Sequence, residues 1–497
     1  MTMQWKQSIK PWKPHKYQFR AVKFLLEHAC AALFLDPGLG KTAITLAGIK
    51  YLKAHSQVEK ALVVAPLRVC HEVWPEEIKK WKDFKKLKIE ILHGPDKDAA
   101  LRRKADIYVI NPEGLEWLLN VKKKKGASGK TRVTVDVRRF KNFGFDLLVV
   151  DELSKFKHPK TNRFKAIKHV LHTFGRRWGL TGSPMTNGLL DLFGQCYILD
   201  MGNALGQYIS HYKDKYFEQQ DYQGYVWAPM KGAAAKIYKR LEPLALRMSA
   251  TDYLDMPEII NDNIFIELPP KVQQVYRELE TDLFTRIDKK VVVAANAAAA
   301  STKCRQVASG GVYYEDPLVP GTPAGPKKST HLHDEKTKAL VDLIDELQGA
   351  QLLVAYDFAH DLDRIRAKLG KDVPYIGGGT TTSQLKEIIR KWNAGKIQVL
   401  LAHPKAAGHG LNLQSGGCNH ICWYSITWDY ELYDQFIRRV HRQGNKNFHV
   451  FVYHILARGT IDPIILRALH SKERGQQALF NALTELRAQR MKGESHA

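Results

Sequence analysis

Short apolar runs alternate with helical patterns in both halves of the 497-residue chain. Ala31 to Leu35, Ala61 to Ala65, Ile107 to Ile110 and Leu147 to Val150 lie in the first half. Leu352 to Ala355, Val399 to Ala402 and His449 to Val452 lie in the second. Such runs suit parallel strands buried on both faces, because a half-exposed strand would alternate apolar with polar. Helical spacing follows, as in Ala43 to Ile49, so each half predicts an α/β sheet.

Between the halves the pattern turns helical, over Leu189 to Leu199 and Ala233 to Leu246. Pro257 then precedes a new apolar stretch, Asn263 to Leu268. A proline ahead of a fresh apolar run marks a break, and the boundary placed there gives units 1–256 and 257–497. Alanine-rich Val291 to Ala300 predicts helix. Residues 310–334 mix Gly and Pro with polar residues and predict a flexible loop. The tail from Ile464 to Leu486 has apolar residues at helical spacing and predicts a helix packed on the body. A hydrophobic content of 44% over this length allows two sizeable cores.

Candidate chemistry follows the strands. Leu35-Asp36-Pro37-Gly38-Leu39-Gly40-Lys41-Thr42 joins an apolar run to a helical pattern, which is the context of a phosphate-binding loop. Gly38 and Gly40 would let backbone N–H groups approach phosphates, Lys41 would lie against the β and γ oxygens, and the Thr42 hydroxyl would ligate Mg²⁺. Leu35 stands where the strict pattern has its first glycine. Gly129-Lys130-Thr131 repeats the tripeptide but follows Lys122 to Lys125 rather than a buried strand, and is rejected.

A second buried run ends in carboxylates, Leu147 to Val150 and then Asp151-Glu152. Asp151 would hold the Mg²⁺ and Glu152 would orient or deprotonate the attacking water, since phosphoryl transfer leaves a protein mostly positioning and charge stabilisation. Two solvated acids capping a strand are the plain alternative for this segment alone. Near the other end, Gln435 to Arg442 supplies Gln435, Arg439 and Arg442. Arginines that stabilise a departing γ-phosphoryl group contribute roughly three to five powers of ten in rate. Delivered from a separate domain, they would tie hydrolysis to cleft closure.

Taken in order, these segments resemble the motif series of a Swi/Snf-type ATPase of helicase superfamily two. Tyr17-Gln18 resembles the adenine-reading glutamine motif, Asp36 to Thr42 motif I, Ala65 to Arg68 motif Ia, and Asn111 to Gly114 motif Ib. Asp151 to Ser154 resembles motif II, Leu180 to Pro184 motif III, Leu352 to Tyr356 motif IV, Gly408 to Leu413 motif V, and Gln435 to Gly444 motif VI. The Gly-x-Gly-Leu-Asn-Leu and Arg-x-x-His-Arg-x-Gly forms favour the Swi/Snf branch over the RNA-helicase branches.

The resemblance implies two RecA-like parallel-sheet lobes with helical insertions at about 190–250 and 270–310, use of ATP and Mg²⁺, and translocation on DNA more than strand separation. Gln18 would select adenine, while Ser154, Thr181, Ser183 and Gly410 would couple hydrolysis to the nucleic acid. Two further departures are Ser154, where many relatives carry histidine, and Asn445, where glutamine commonly closes motif VI.

Charge indicates the partner. A formal net charge of +25 points to a polyanion, and residues 121–141 carry nine Lys or Arg against the single acid Asp136. Thr131 to Asp136 alternates like an exposed strand, so the insertion predicts a loop or hairpin with Lys122, Lys123, Lys124 and Lys125 as candidate DNA contacts. A lysine run is also compatible with a merely solvated loop. Arg68, Asn111 and motif V are stronger candidates for a backbone track that ignores sequence, with duplex DNA favoured over single strands.

The six cysteines form neither a disulfide framework nor a paired zinc signature. Cys418, His420 and Cys422 lead into an apolar run and read as buried thiols. With no signal peptide and no 18-residue apolar stretch, the chain is expected to be cytoplasmic, in a bacterial cell or virus-infected host, off the membrane, and working with a separate nuclease or repair protein. Competing readings are a strand-separating helicase or RNA-directed ATPase, and a nucleotide-gated DNA-binding scaffold with slow hydrolysis.

Overall fold

The computed structural model describes residues 10–125, 131–182, 184, 185, 188–220, 227–248, 253, 257–281, 284–287, 290–293, 297–314, 328–407, 411–442, 445 and 447–470. The chain divides into two compact units, Met1–Leu254 and Asp255–Ala497.

The sheet of the first unit has seven strands: Cys30–Leu35 (β1), Ala61–Val64 (β2), Ile89–Ile91 (β3), Ile107–Ile110 (β4), Leu147–Asp151 (β5), Arg176–Thr181 (β6) and Ala245–Met248 (β7). Their order is β7-β1-β6-β5-β2-β4-β3, with every pairing parallel. Strands β2, β4 and β5 are buried at every residue, as their mostly Val, Ile and Leu content favours. Helices Lys16–Glu27 (α1) and Lys41–Ala54 (α2) flank the glycine loop in sequence.

Residues 190–250 are helical only in part. Asp191–Asp200 (α3) is buried from Asp191 to Leu199 and shares a core with Phe164, Tyr212, Tyr216 and Phe217. Ala233–Leu241 (α4) stops short of the helix expected to Leu246. Pro243 explains the difference, since it has no N–H to continue the ladder. The chain then forms β7, which closes the sheet edge by pairing Ala32 with Ala245 through Leu35 with Met248. The basic insertion is an antiparallel hairpin of Lys122–Lys125 with Thr131–Thr134, followed by a short helix, Val137–Lys141.

The second unit has a six-stranded parallel sheet: Glu258–Ile266 (β8), Leu352–Ala355 (β9), Tyr375–Ile376 (β10), Val399–Ala402 (β11), His420–Trp423 (β12) and His449–Ala457 (β13), ordered β8-β13-β12-β9-β11-β10. Ahead of β9 lie Pro270–Thr281 (α5), Ala297–Ser309 (α6) and Glu335–Glu346 (α7). The helix expected over Val291 to Ala300 is instead a strand to Val293, paired with Phe284–Ile287, and a helix only from Ala297. Consecutive valines favour the strand, and alanines the helix. The loop expected over 310–334 is bounded by a hairpin, Gly311–Tyr314 with Lys328–His331. Tyr430–Ile437 (α8) and Asp462–His470 (α9) lie on either side of β13 in sequence. The remainder of the expected tail helix, to Leu486, lies outside the described residues.

Lys336, at the start of α7, is fully buried and donates to Asp462 Oδ2 at 2.6 Å and to the Tyr424 carbonyl at 3.1 Å. A charge so placed persists only because it is paired, and it ties α7 to α9.

Candidate nucleotide site and nucleic-acid track

The loop after β1 is shaped by two left-handed glycines, Gly38 at φ 96° and Gly40 at φ 80°. Gly40 is the last residue before α2, so Lys41 and Thr42 lie in the first turn, where unpaired N–H groups and the helix dipole favour anions. A Cβ on Gly40 would fall 2.6 Å from Gln18 Nε2. Gln18, 8% exposed, donates from that nitrogen to the Leu39 carbonyl at 3.2 Å and accepts from the His15 N–H at 3.0 Å. The Lys41 ammonium bends back over the loop, donating to the carbonyls of Leu35 at 2.7 Å and Asp36 at 3.4 Å.

Sheet register brings the carboxylates to the same edge. Phe34 of β1 is level with Thr181 of β6, and Asp151 of β5 with Leu180. The strands are parallel, so Leu35, Thr181 and Asp151 emerge side by side at their C-terminal ends, where open α/β sheets bind ligands. Asp151 is buried and accepts from Trp74 Nε1 at 3.0 Å. Burial, and then the charge of Glu152, push its carboxyl up to about 6, against the opposing pull of the Trp74 bond and Lys41. Trp74, fully buried, is the functional neighbour that the sequence reading missed. An indole followed by proline shortly after motif Ia was its one signal.

Glu152 adopts the left-handed conformation, φ 62° and ψ 61°. For a non-glycine residue this costs roughly 1–2 kcal/mol, and such residues collect where function requires a particular aim. It turns the chain into the short helix Leu153–Phe156, in which Ser154 is buried. Thr181 is fully buried. At the next residue, a Cβ on Gly182 would lie 2.9 Å from Pro37 Cδ, so motif III packs directly on the phosphate loop. Ser183 and Gly410 lie outside the described residues. The Thr42 hydroxyl and the Asp151 carboxylate are hard oxygen donors that fit Mg²⁺, and a cation would relieve the burial penalty on Asp151.

In the second unit both candidate arginines bind the motif V segment. Arg439, 8% exposed, donates from Nε to the Gln435 carbonyl at 3.1 Å and from Nη1 to the Leu411 carbonyl at 3.2 Å. Arg442 Nη1 donates to Asn412 Oδ1 at 2.6 Å. Gln435 donates to Glu431 Oε1 at 3.1 Å, and its own Oε1 is buried with no hydrogen-bond partner among the described residues. Asn445 pins the end of motif VI through donations to the carbonyls of Cys418 at 2.9 Å and Val440 at 3.1 Å.

Val64 of β2 is level with Val150 of β5 and Ile110 of β4, so Arg68 and Asn111 follow strands that end on the carboxylate edge. Arg68 is half-buried. Asn111 donates to Glu113 Oε2 at 3.0 Å. The four hairpin lysines are not equivalent. Lys123 is level with Val133, which is buried in the core, and donates to both Glu116 oxygens at 2.8 and 2.7 Å. Lys122 and Lys124 alternate to the other face, and all three side chains are exposed. The Lys125 side chain lies outside the described residues. Cys418 and Cys422 are buried thiols. Among the described residues no helix is long and apolar enough to cross a membrane.

A SNF2-related domain model matches residues 17–311, and a helicase conserved C-terminal domain model matches residues 335–444. The chain is 32% identical to putative protein p41 of Acyrthosiphon pisum secondary endosymbiont phage 1, covering 96% of this chain and 99% of that protein. It is 23% identical to the putative ATP-dependent helicase/translocase YwqA of Bacillus subtilis, over 98% of this chain and 50% of that protein. Human SWI/SNF-related matrix-associated actin-dependent regulator of chromatin subfamily A member 1 is 25% identical, over 92% of this chain and 43% of its own length. The chain thus spans half or less of these two longer relatives. With one family model covering more than half of its residues and a second lying within its C-terminal unit, the chain belongs to the SNF2-related family of ATP-dependent helicases.

Proposed function

We propose that the chain is a DNA translocase that hydrolyses ATP to ADP and phosphate and tracks along duplex DNA without separating its strands. The reading is carried by the shared edge of the first sheet, where Gly182 packs on Pro37 between the phosphate loop and Asp151-Glu152. A change at the phosphates is thereby passed by direct contact to the strand end beside them, and Ser154, Thr181, Ser183 and Gly410 are assigned to that coupling.

In the proposed cycle Lys41 exchanges the Leu35 and Asp36 carbonyls for phosphate oxygens, and Glu152 orients the attacking water and accepts its proton. Gln435, Arg439 and Arg442 are assigned to the charge that develops on the departing group. Thr42 and Asp151 would hold Mg²⁺, which when bound neutralises phosphate charge. Arg68, Asn111, Lys122 and Lys124 are assigned to the DNA backbone, with Lys123 holding the hairpin in place.

Steady-state hydrolysis with no nucleic acid, single-stranded DNA, duplex DNA or duplex RNA, at low and moderate salt, tests the reading. Stimulation chiefly by duplex DNA, lost in Lys41→Ala, is the expected result. Stimulation only by single strands or RNA would replace it with a strand-separating or RNA-directed motor, and none at all would favour the slow scaffold.

A further inference from the structure

We infer that a lysine face on the first unit, at the end of the sheet away from the carboxylates, binds a second segment of duplex DNA apart from the motor's own track. Residues 79–88 hold six lysines and one acid, Asp83. Phe84 and Leu87 of this stretch are buried, while all six lysines are exposed. Asp83 does not neutralise them, because its carboxylate accepts from the Trp12 N–H at 2.8 Å and from Lys50 Nζ at 3.4 Å. Lys80 lies 3.8 Å from Glu77. The ammonium groups of Lys79, Lys82, Lys85, Lys86 and Lys88 have no ion-pair or hydrogen-bond partner among the described residues. A face that is merely solvated intersperses both signs, whereas here like charges crowd at a cost in repulsion that a polyanion would relieve.

The lysines are displayed on anchored backbone. Lys82 N–H donates to the Lys10 carbonyl at 3.1 Å, which brings exposed Lys10 beside the face, and the Trp12 and Phe84 rings pack with centroids 5.5 Å apart. Lys85 to Lys88 lead directly into β3, which runs parallel to β4 and through it to the rest of the sheet. They therefore lie at the N-terminal ends of the strands, a strand length or roughly 15 Å from the edge where Leu35, Thr181 and Asp151 emerge. A ligand there leaves the phosphate loop and the motif Ia and Ib segments uncovered. Composition identifies the occupant. Protein interfaces are depleted in lysine and enriched in aromatic residues, methionine and arginine, whereas a sugar-phosphate backbone needs only closely placed positive charge. A chain held on one DNA segment while its motor edge works on another would draw the two together.

The inference rests on the DNA-motor reading above only for the identity of the polyanion. Two-wavelength sedimentation of the full chain with a short fluorescent duplex of about 12 base pairs, at low salt, counts the chains and duplexes in each complex. The wild type is compared with Lys82→Gln/Lys85→Gln/Lys86→Gln, with Lys231→Gln/Lys236→Gln/Lys239→Gln as a control that removes the same charge from exposed lysines of the same unit, and with Lys122→Ala/Lys124→Ala. Thermal unfolding verifies that each is folded. Two duplexes on one wild-type chain and on the control, but one on the Lys82, Lys85 and Lys86 variant, with any residual second step at least about tenfold weaker, is the expected result. A single duplex on the wild type, or the same number on that variant and the control, would overturn the inference. Loss of a duplex from the Lys122 and Lys124 variant alone would likewise overturn it and leave the hairpin track standing. Loss from the Lys82, Lys85 and Lys86 variant alone would uphold it and remove the hairpin from the track.

Discussion

Asp151 lies where burial and the neighbouring Glu152 both oppose its charge, and its carboxyl rises to about 6. A raised carboxylate pKa means that the folded state takes up a proton more readily than the unfolded chain. This group's contribution is therefore favourable to folding at low pH and fades as pH climbs through 6. At pH 7 the ionised form costs about 3 kcal/mol, and a bound cation would offset that cost. Calorimetric binding of Mg²⁺-ADP is expected to weaken as pH falls from 7 to 5.5, and Asp151→Asn should flatten the profile. A wild-type profile already flat over that range would remove Asp151 from metal binding. Glu152→Gln should lower turnover by at least about a hundredfold while leaving ADP affinity unchanged; unaltered turnover would take that carboxylate out of the mechanism. Lys41 and Asp151 could be read in the sequence because each follows a strand-length apolar run. Trp74 could not, because its bond to a residue 77 positions away depends on sheet register.

The hairpin and the polar edges of the second unit lead to predictions at the scale of elements. Each phosphate contact contributes about 0.9 to the slope of log affinity against log salt. Lys122→Ala with Lys124→Ala should therefore reduce that slope by about 2 for duplex DNA, whereas Lys123→Ala should change it less and instead loosen the Glu116 attachment. Equal effects from all three lysines would mean that the facing is irrelevant.

His333, immediately ahead of α7, donates from Nε2 to the Val307 carbonyl at 2.9 Å and accepts from the Glu335 N–H at 3.2 Å. Burial pushes its pKa down to about 4. Because the folded value lies below the unfolded one, its stabilisation is complete above about 6.5 and is lost as pH falls toward 4, up to about 3 kcal/mol. The unfolding midpoint should drop across that window, less so in His333→Gln; a midpoint equally acid-sensitive in the variant would place the loss elsewhere. Apolar runs revealed the main strands to the sequence reading because burial on both faces leaves no alternation to misread. The strand at Ala245–Met248 was hidden by helical spacing that continues past Pro243, and the hairpin at Phe284–Ile287 by its closeness to an alanine run.

For the whole molecule, a net charge of +25 and membership of the SNF2-related family agree on a nucleic-acid partner without naming its form. Each unit is built on a parallel sheet, and the phosphate loop, Asp151 and Thr181 lie at strand ends of the first. The alternatives therefore differ in what the motor does to the strands rather than in how it is built. Triplex displacement on a duplex whose two strands are separately labelled tests the central claim most directly. The account predicts that ATP drives release of the third strand while the duplex stays paired, and that Lys41→Ala and Glu152→Gln abolish release. Separation of the duplex strands, or third-strand release that persists in those variants, would contradict it.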